Sequence, residues 1–137
     1  MRRLACLAAS VLALGCAHVP PAASLEGTTW QLVKFQGGDD TVLRPDEKSK
    51  YTLTFGADGS VNARIDCNRG HGTWTSAGHG QLELGPMAIT RAMCPPGSLH
   101  DGIVKQLPYV RSYLIRDRNL FLSLMADGGV YEFEPVR

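Results

Sequence analysis

The stretch that decides the fold is residues 51–74, "YTLTFGADGSVNARIDCNRGHGTW", in which apolar and polar residues alternate on either side of a glycine-containing turn. One face of the extended chain would carry Tyr51, Leu53, Phe55, Val61, Ala63 and Ile65. Successive side chains of a strand point to opposite faces, and Asp and Gly favour tight turns. The stretch therefore predicts a β-hairpin with one buried face.

The same alternation continues along the chain. "GTWT" and "QLELG" flank the turn "SAGHG", and "NLFLSLM" and "VYEFE" flank "ADGG". "TTWQLVKF" and "SYLIR" predict two more strands, while the polar residues 36–50 show no sustained period and are expected to form a surface loop. Strands at such close spacing are typical of a small antiparallel sandwich or barrel.

One segment, "SLHDGIVKQLPYV" (98–110), follows a helical period instead. The apolar stripe consists of Leu99, Ile103, Val104, Leu107 and Val110. Ser98 and Asp101 are expected to act as a capping pair, and Pro108 to end or kink the helix. The sequence thus predicts a mainly β, β-rich α+β fold: a small antiparallel β barrel or half-barrel with one helix packed against it.

The N-terminus predicts export. "MRRLACLAASVLALGC" combines two arginines, an uncharged apolar run and a small residue before Cys16, a layout typical of a bacterial secretory signal. "ALGC" resembles the lipobox of bacterial lipoproteins. We therefore expect residues 1–15 to be a signal peptide and Cys16 to carry lipid, with ordinary cleavage near "PPAAS" as the alternative.

Residues 16–24, which are small and proline-containing, are expected to be the lipidated N-terminus and tether, and residues 25–137 the folded domain. Acyl chains on Cys16 would attach the domain to a membrane. Ala17 after the lipid cysteine is compatible with outer-membrane sorting. The expected location is therefore the cell envelope, with a lipid anchor in the outer membrane and the domain facing the periplasm.

The charge balance argues against a nucleic-acid partner. Removal of Arg2 and Arg3 with the signal peptide changes 14 basic against 13 acidic side chains into 12 against 13. The mature chain has no basic stripe and no like-charge tail, so neither nucleic acid nor anionic head groups would attract it strongly. We expect a monomer that is held at the membrane by its lipid.

Several of these segments together resemble the META domain. They are "LEGTTWQLV", the hairpin stretch with its Cys-Asn pair, "LELGPMAITRAMC" and "NLFLSLMADGGVYEFEP". That family includes the HslJ-like envelope lipoproteins and is associated with stress and, in some members, antibiotic tolerance. The resemblance implies a small antiparallel β fold with one packed helix, often without an assigned activity. The chain departs from the family pattern at Ala92 and Pro108.

Cys67 and Cys94 are the pair that remains once Cys6 is removed and Cys16 carries lipid. The resemblance places both at strand ends on either side of one hairpin, and an oxidising compartment favours a disulfide between them. Two buried reduced thiols are the alternative. A nucleophile paired with His71 lacks an oxyanion-stabilising feature, and a zinc site lacks closely spaced ligands. We therefore expect no catalytic residue, no metal and no cofactor.

These observations favour a non-enzymatic envelope lipoprotein domain that acts by binding or by supporting the envelope under stress. The loops "CNRGHG" and "RAMCPPGSLHD" are the expected contact surfaces for a protein or envelope component. Their candidate contact residues are Asn68, Arg69, His71, Arg91, Met93 and Pro95. One alternative is a small-ligand carrier that uses the barrel interior. A thiol-dependent enzyme is another.

Overall fold

The computed structural model describes residues 23–137. The expected signal peptide, Cys16 and residues 16–22 of the expected tether lie outside the described residues. Leu25, near the start of the described residues, is 1% exposed and belongs to the core.

Residues 23–137 form ten strands, one α-helix and two 3₁₀ turns. The strands are β1 Thr28–Gln36, β2 Val42–Leu43, β3 Tyr51–Phe55, β4 Ser60–Ile65, β5 Asn68–Thr75, β6 Glu83–Leu84, β7 Ala88–Ile89, β8 Val110–Arg116, β9 Asn119–Leu124 and β10 Val130–Pro135. The helix α1 is His100–Gln106, and the 3₁₀ turns are Lys48–Lys50 and Leu107–Tyr109.

The strands form one antiparallel sheet that nearly closes into a barrel. Its order is β6, β5, β4, β3, β1, β10, β9, β8, with β2 paired to β1 and β7 paired to β5. Gln81, just before β6, pairs with Ser112 of β8 and joins the two ends of the sheet. Beside this bridge, the Tyr113 N–H donates to the Gly80 carbonyl at 2.7 Å. The prediction of a small antiparallel barrel with one helix is confirmed.

The hairpin of residues 51–74 forms in the predicted register. Tyr51 lies opposite Ile65, and Phe55 lies opposite Val61. The Asp58 carboxylate accepts hydrogen bonds from the backbone N–H of Ser60 at 2.9 Å and from its hydroxyl at 2.6 Å, which closes the turn. The predicted strands around "SAGHG" and "ADGG" also pair.

The core fills the barrel with the inward faces of the strands. Its fully buried large side chains include Leu25, Leu32, Phe55, Val61, Ile65, Leu82, Val110, Leu120 and Leu122. The helix packs on this core through Ile103 and Val104, as the apolar stripe predicts. Burial of this kind contributes roughly 1.5–3 kcal/mol for each large apolar side chain.

The ends of the helix differ from the prediction. Leu99 is the N-cap residue, and α1 has no side-chain cap, so the capping pair of Ser98 and Asp101 is wrong. The Ser98 hydroxyl instead accepts the His100 N–H at 3.2 Å, before the first turn is complete. Pro108 lies in the 3₁₀ turn that ends the helix, as expected, and Val110 begins β8 because proline cannot continue the helical hydrogen bonds.

Two predicted loops contain strands. Residues 36–50 include β2, whose Leu43 pairs with Phe35 of β1. "CNRGHG" is mostly the first half of β5, because the chain reverses at Asp66 and Cys67 and pairs again at Asn68. Asp66 has a φ of 56°, which the tight reversal requires. No helix within residues 23–137 is both long enough and apolar enough to cross a bilayer.

Candidate binding site

A disulfide joins Cys67 to Cys94, with an S–S distance of 2.05 Å and a Cα–Cα distance of 5.5 Å. It ties the β4–β5 reversal to residues 90–97, which we call the corner loop. The predicted disulfide is confirmed, and the alternative of two reduced thiols is not what the structure contains. Neither sulfur is available as a thiolate nucleophile while the bond is intact.

The buried side chain of Asn68 fixes the corner loop through hydrogen bonds. Its side chain is completely buried, and its Oδ1 accepts the Ala92 N–H and the Thr90 hydroxyl, each at 2.8 Å. Its Nδ2 donates to the Ala92 carbonyl at 2.9 Å. Asn68 was expected to contact a partner, and this expectation is corrected. Its amide is fully buried and bonds Thr90 and Ala92, so it positions the loop instead.

Tyr51 ties the same corner to the start of the helix. Its hydroxyl accepts the Leu99 N–H at 3.0 Å and faces the Asp66 carboxylate at 3.4 Å. Both Tyr51 and Asp66 are buried. The reversal, the corner loop and the helix start are therefore one connected unit, since each is bonded to the next.

The corner loop presents an exposed surface. Arg91, Met93 and Pro95 are all exposed, and the Met93 side chain is 97% exposed. A large apolar side chain that packs on nothing is unusual on a segment held by a disulfide and by a buried amide. These three of the predicted contact residues lie together and line one cleft.

Arg69 and His71 lie elsewhere. They are exposed residues of β5, not of a loop, and His71 Nδ1 is 2.8 Å from Asn62 Oδ1 of β4. Neither residue lines the cleft beside the corner loop. The structure therefore does not bring Arg69 and His71 into the same cleft as the corner loop, because most of "CNRGHG" belongs to the sheet.

The cleft beside the corner loop has a volume of about 660 Å³, and a second cleft of about 450 Å³ continues it toward Pro108. The two share Met87, Ile89 and Val104, and together we call them the edge groove. One wall is the segment that carries β7, and the other is α1. These three residues were not among the predicted contact residues.

Two glycines of β5 make room for the β7 wall. An added Cβ at Gly72 would lie 2.9 Å from Met87 Cγ, and one at Gly70 would lie 3.3 Å from Ile89 Cγ1. Both distances are shorter than ordinary carbon contacts. Met87 and Ile89 therefore fill the inward face that β5 leaves empty. The alternating glycines of "NRGHG" were the available sequence signal for this arrangement.

Polar groups stand at the corner-loop end of the groove. His100 Nδ1 is 2.9 Å from the Asp101 carboxylate, and His100 Nε2 is buried without a hydrogen-bond partner among the described residues. Arg91 forms no ion pair within residues 23–137. The groove thus combines apolar walls with one uncompensated cation.

The barrel interior has little space. The cavity lined by Leu32, Tyr51 and Leu122 has a volume of about 20 Å³. This is the scale of a single water molecule, whereas ligand pockets measure hundreds of cubic ångströms. The alternative of a carrier that uses the interior therefore has no support at this position.

The chain belongs to the META domain family, which matches residues 23–136. Two solved structures share the fold. An NMR structure of a protein from Burkholderia xenovorans has a TM-score of 0.71 and 20% identity, covering 94% of this chain and 99% of that one. A crystal structure of a DUF4847 family protein from Bacteroides vulgatus has a TM-score of 0.59 and 18% identity, covering 80% and 93%. No curated protein matches significantly.

Proposed function

We propose that this protein is a non-enzymatic, lipid-anchored envelope protein whose META domain binds a protein or another envelope component. The corner loop and the edge groove are the binding surface. The domain acts as a monomer in the periplasm and supports the envelope under stress, including antibiotic stress. Its anchor is the lipid on Cys16, and it uses neither a cofactor nor nucleic acid.

The proposed location is supported by two separate features. The first sixteen residues have the pattern of a signal peptide followed by a lipobox. The folded domain contains a disulfide, and disulfides persist in oxidising compartments such as the bacterial periplasm. A cytoplasmic location would expose that bond to reducing conditions.

The observation that carries the binding proposal is Met93. Its side chain is 97% exposed at the rim of a cleft, on a loop that is fixed by the Cys67–Cys94 bond and by Asn68. Interfaces favour exposed Met and Arg on a preorganised backbone, because little conformational entropy is lost on binding. A surface kept for solubility alone would place a polar residue here.

The experiment is photo-crosslinking in intact cells. A photoreactive phenylalanine analogue replaces Met93, and the matched control places it at Leu114, a 53% exposed residue of β8 that does not line the groove. We expect a discrete crosslinked species at position 93 that position 114 does not give. Equal labelling at both positions, or none at position 93, contradicts the proposal.

A second measurement tests the anchor and the stress role. Mass spectrometry of the envelope-purified protein is expected to find an acylated Cys16 at the N-terminus. In a deletion strain, the Met93→Ser variant is expected to restore stress tolerance less well than Leu114→Ser. Full complementation by both variants at normal protein levels would remove the corner loop from the function.

A further inference from the structure

The β7 wall of the edge groove is an unpaired strand edge. The Thr90 N–H donates to the Arg69 carbonyl of β5 at 2.9 Å, and Ala88 lies opposite His71. Because backbone groups in an extended chain alternate in direction, Ile89 and Arg91 direct their N–H and C=O groups away from β5 and into the groove. Within residues 23–137, neither amide has a partner on that side.

The groove walls beside this edge are apolar. Met87 and Ile89 face Val104 of α1, and the floor continues to Leu107 and Pro108. An acyl chain would satisfy these walls but would leave the backbone groups of the edge without partners. An extended polypeptide satisfies both, since its own backbone bonds the edge while alternate side chains enter the apolar space.

After the unpaired strand edge and the apolar walls, the charge of Arg91 is a third constraint on what the groove binds. Arg91 lines the groove, is exposed and forms no ion pair among the described residues. The nearby Asp101 carboxylate is already bonded to His100. A carboxylate on the occupant complements Arg91, because guanidinium groups bind carboxylates with charge-assisted hydrogen bonds.

We propose, building on the binding function above, that the edge groove binds an extended acidic segment of a partner protein. That segment adds as a β-strand to residues 87–91, directs apolar side chains at alternate positions toward Met87, Ile89 and Val104, and places a carboxylate against Arg91. The partner is thus recognised through its backbone and through an alternating pattern, not through a folded surface.

The test uses phage-displayed random dodecapeptides selected against the purified domain. We expect the enriched peptides to alternate apolar and polar residues and to contain Asp or Glu. When the domain is saturated with one such synthetic peptide, the Ile89 amide is expected to exchange with solvent at least about tenfold more slowly. The Thr90 amide is the internal control, since it is already bonded to Arg69 and should change little.

A charge exchange checks the role of Arg91. Arg91→Glu is expected to weaken binding of the acidic peptide about tenfold, and replacing the peptide's carboxylate by lysine should restore it. Lys105→Glu is the matched control, because Lys105 is exposed on α1 and does not line the groove. Equal losses in both variants would overturn the assignment of Arg91.

Other outcomes overturn the proposal outright. These are the absence of enriched peptides, peptides with helical spacing, and peptides that leave the Ile89 amide unprotected. Saturable binding of palmitate or of phosphatidylglycerol vesicles that slows exchange at Ile89 would assign the groove to lipid instead. If crosslinking at Met93 succeeds while the selection fails, the binding function stands and the extended segment is rejected.

Discussion

At the scale of single residues, Asn68 determines the geometry of the site. Its amide satisfies both backbone groups of Ala92 and the hydroxyl of Thr90. A buried side chain that bonds a loop's backbone fixes the loop without an element of secondary structure. From the sequence, Asn68 was predicted to be a surface contact residue next to Cys67. Its burial was not predictable, because no local pattern reveals a long-range side-chain hydrogen bond.

Asn68→Ala is expected to lower the free energy of unfolding by about 3 kcal/mol, because it leaves several buried groups of the corner loop without partners. Urea denaturation followed by tryptophan fluorescence measures the loss. Asn62→Ala is the control, since the Asn62 side chain is exposed and, within residues 23–137, bonds only the exposed His71. If Asn62→Ala lowers the free energy of unfolding as much as Asn68→Ala does, the buried hydrogen bonds of Asn68 contribute no more to stability than an exposed one.

At the scale of elements, the hairpins were predictable and the edge groove was not. The alternation of residues 51–65 specifies both a period and a turn, and its register follows from those local features. The first half of β5 instead presents Gly70 and Gly72 to the core, so its inward face carries no apolar signal. Met87 and Ile89 supply that face from a later segment, and a long-range replacement of this kind leaves no periodicity to detect.

Two hairpin turns differ in their backbone strain. Arg118, in the β8–β9 turn, has a φ of 70°, and Gly129, before β10, has a φ of 126°. Arg118→Gly is expected to raise stability by about 0.5–1 kcal/mol, because glycine relieves the left-handed strain at a smaller entropic cost. Gly129→Ala is expected to lower it by about 2 kcal/mol or more, since the new Cβ would lie 2.5 Å from the Gln36 carbonyl.

Thermal unfolding of both variants by circular dichroism checks this pair. The melting temperature should rise for Arg118→Gly and fall for Gly129→Ala. A fall for Arg118→Gly or a rise for Gly129→Ala would mean that backbone strain in these turns does not limit the stability of the sheet.

At the scale of the whole molecule, two long-range links reinforce the sheet. The Gln81–Ser112 bridge joins its two ends, and the Cys67–Cys94 bond ties the β4–β5 reversal to the corner loop. The family resemblance correctly implied an antiparallel β fold with one helix, and it placed Cys67 and Cys94 where the disulfide forms. The shape of the edge groove depends on how α1 packs against the β7 segment. The sequence predicted that the helix packs on the sheet, but not where.

Reduction of the disulfide is expected to lower the free energy of unfolding by about 3.5 kcal/mol, from the chain entropy of a loop with 27 residues of separation. Urea denaturation with and without dithiothreitol measures the change, and the Cys67→Ser/Cys94→Ser variant should match the reduced protein. An unchanged midpoint in both would show that Asn68 and the core hold the corner without the bond.

The position of β10 has a consequence for how the domain unfolds. This last strand lies between β1, the first, and β9, so it forms the middle of the sheet. Because β10 is bonded to a strand on each side, its detachment would leave two strand edges, on β1 and on β9, without partners. We therefore expect β10 to separate only when the whole domain unfolds, and its amides to exchange with solvent as slowly as those of the core strands.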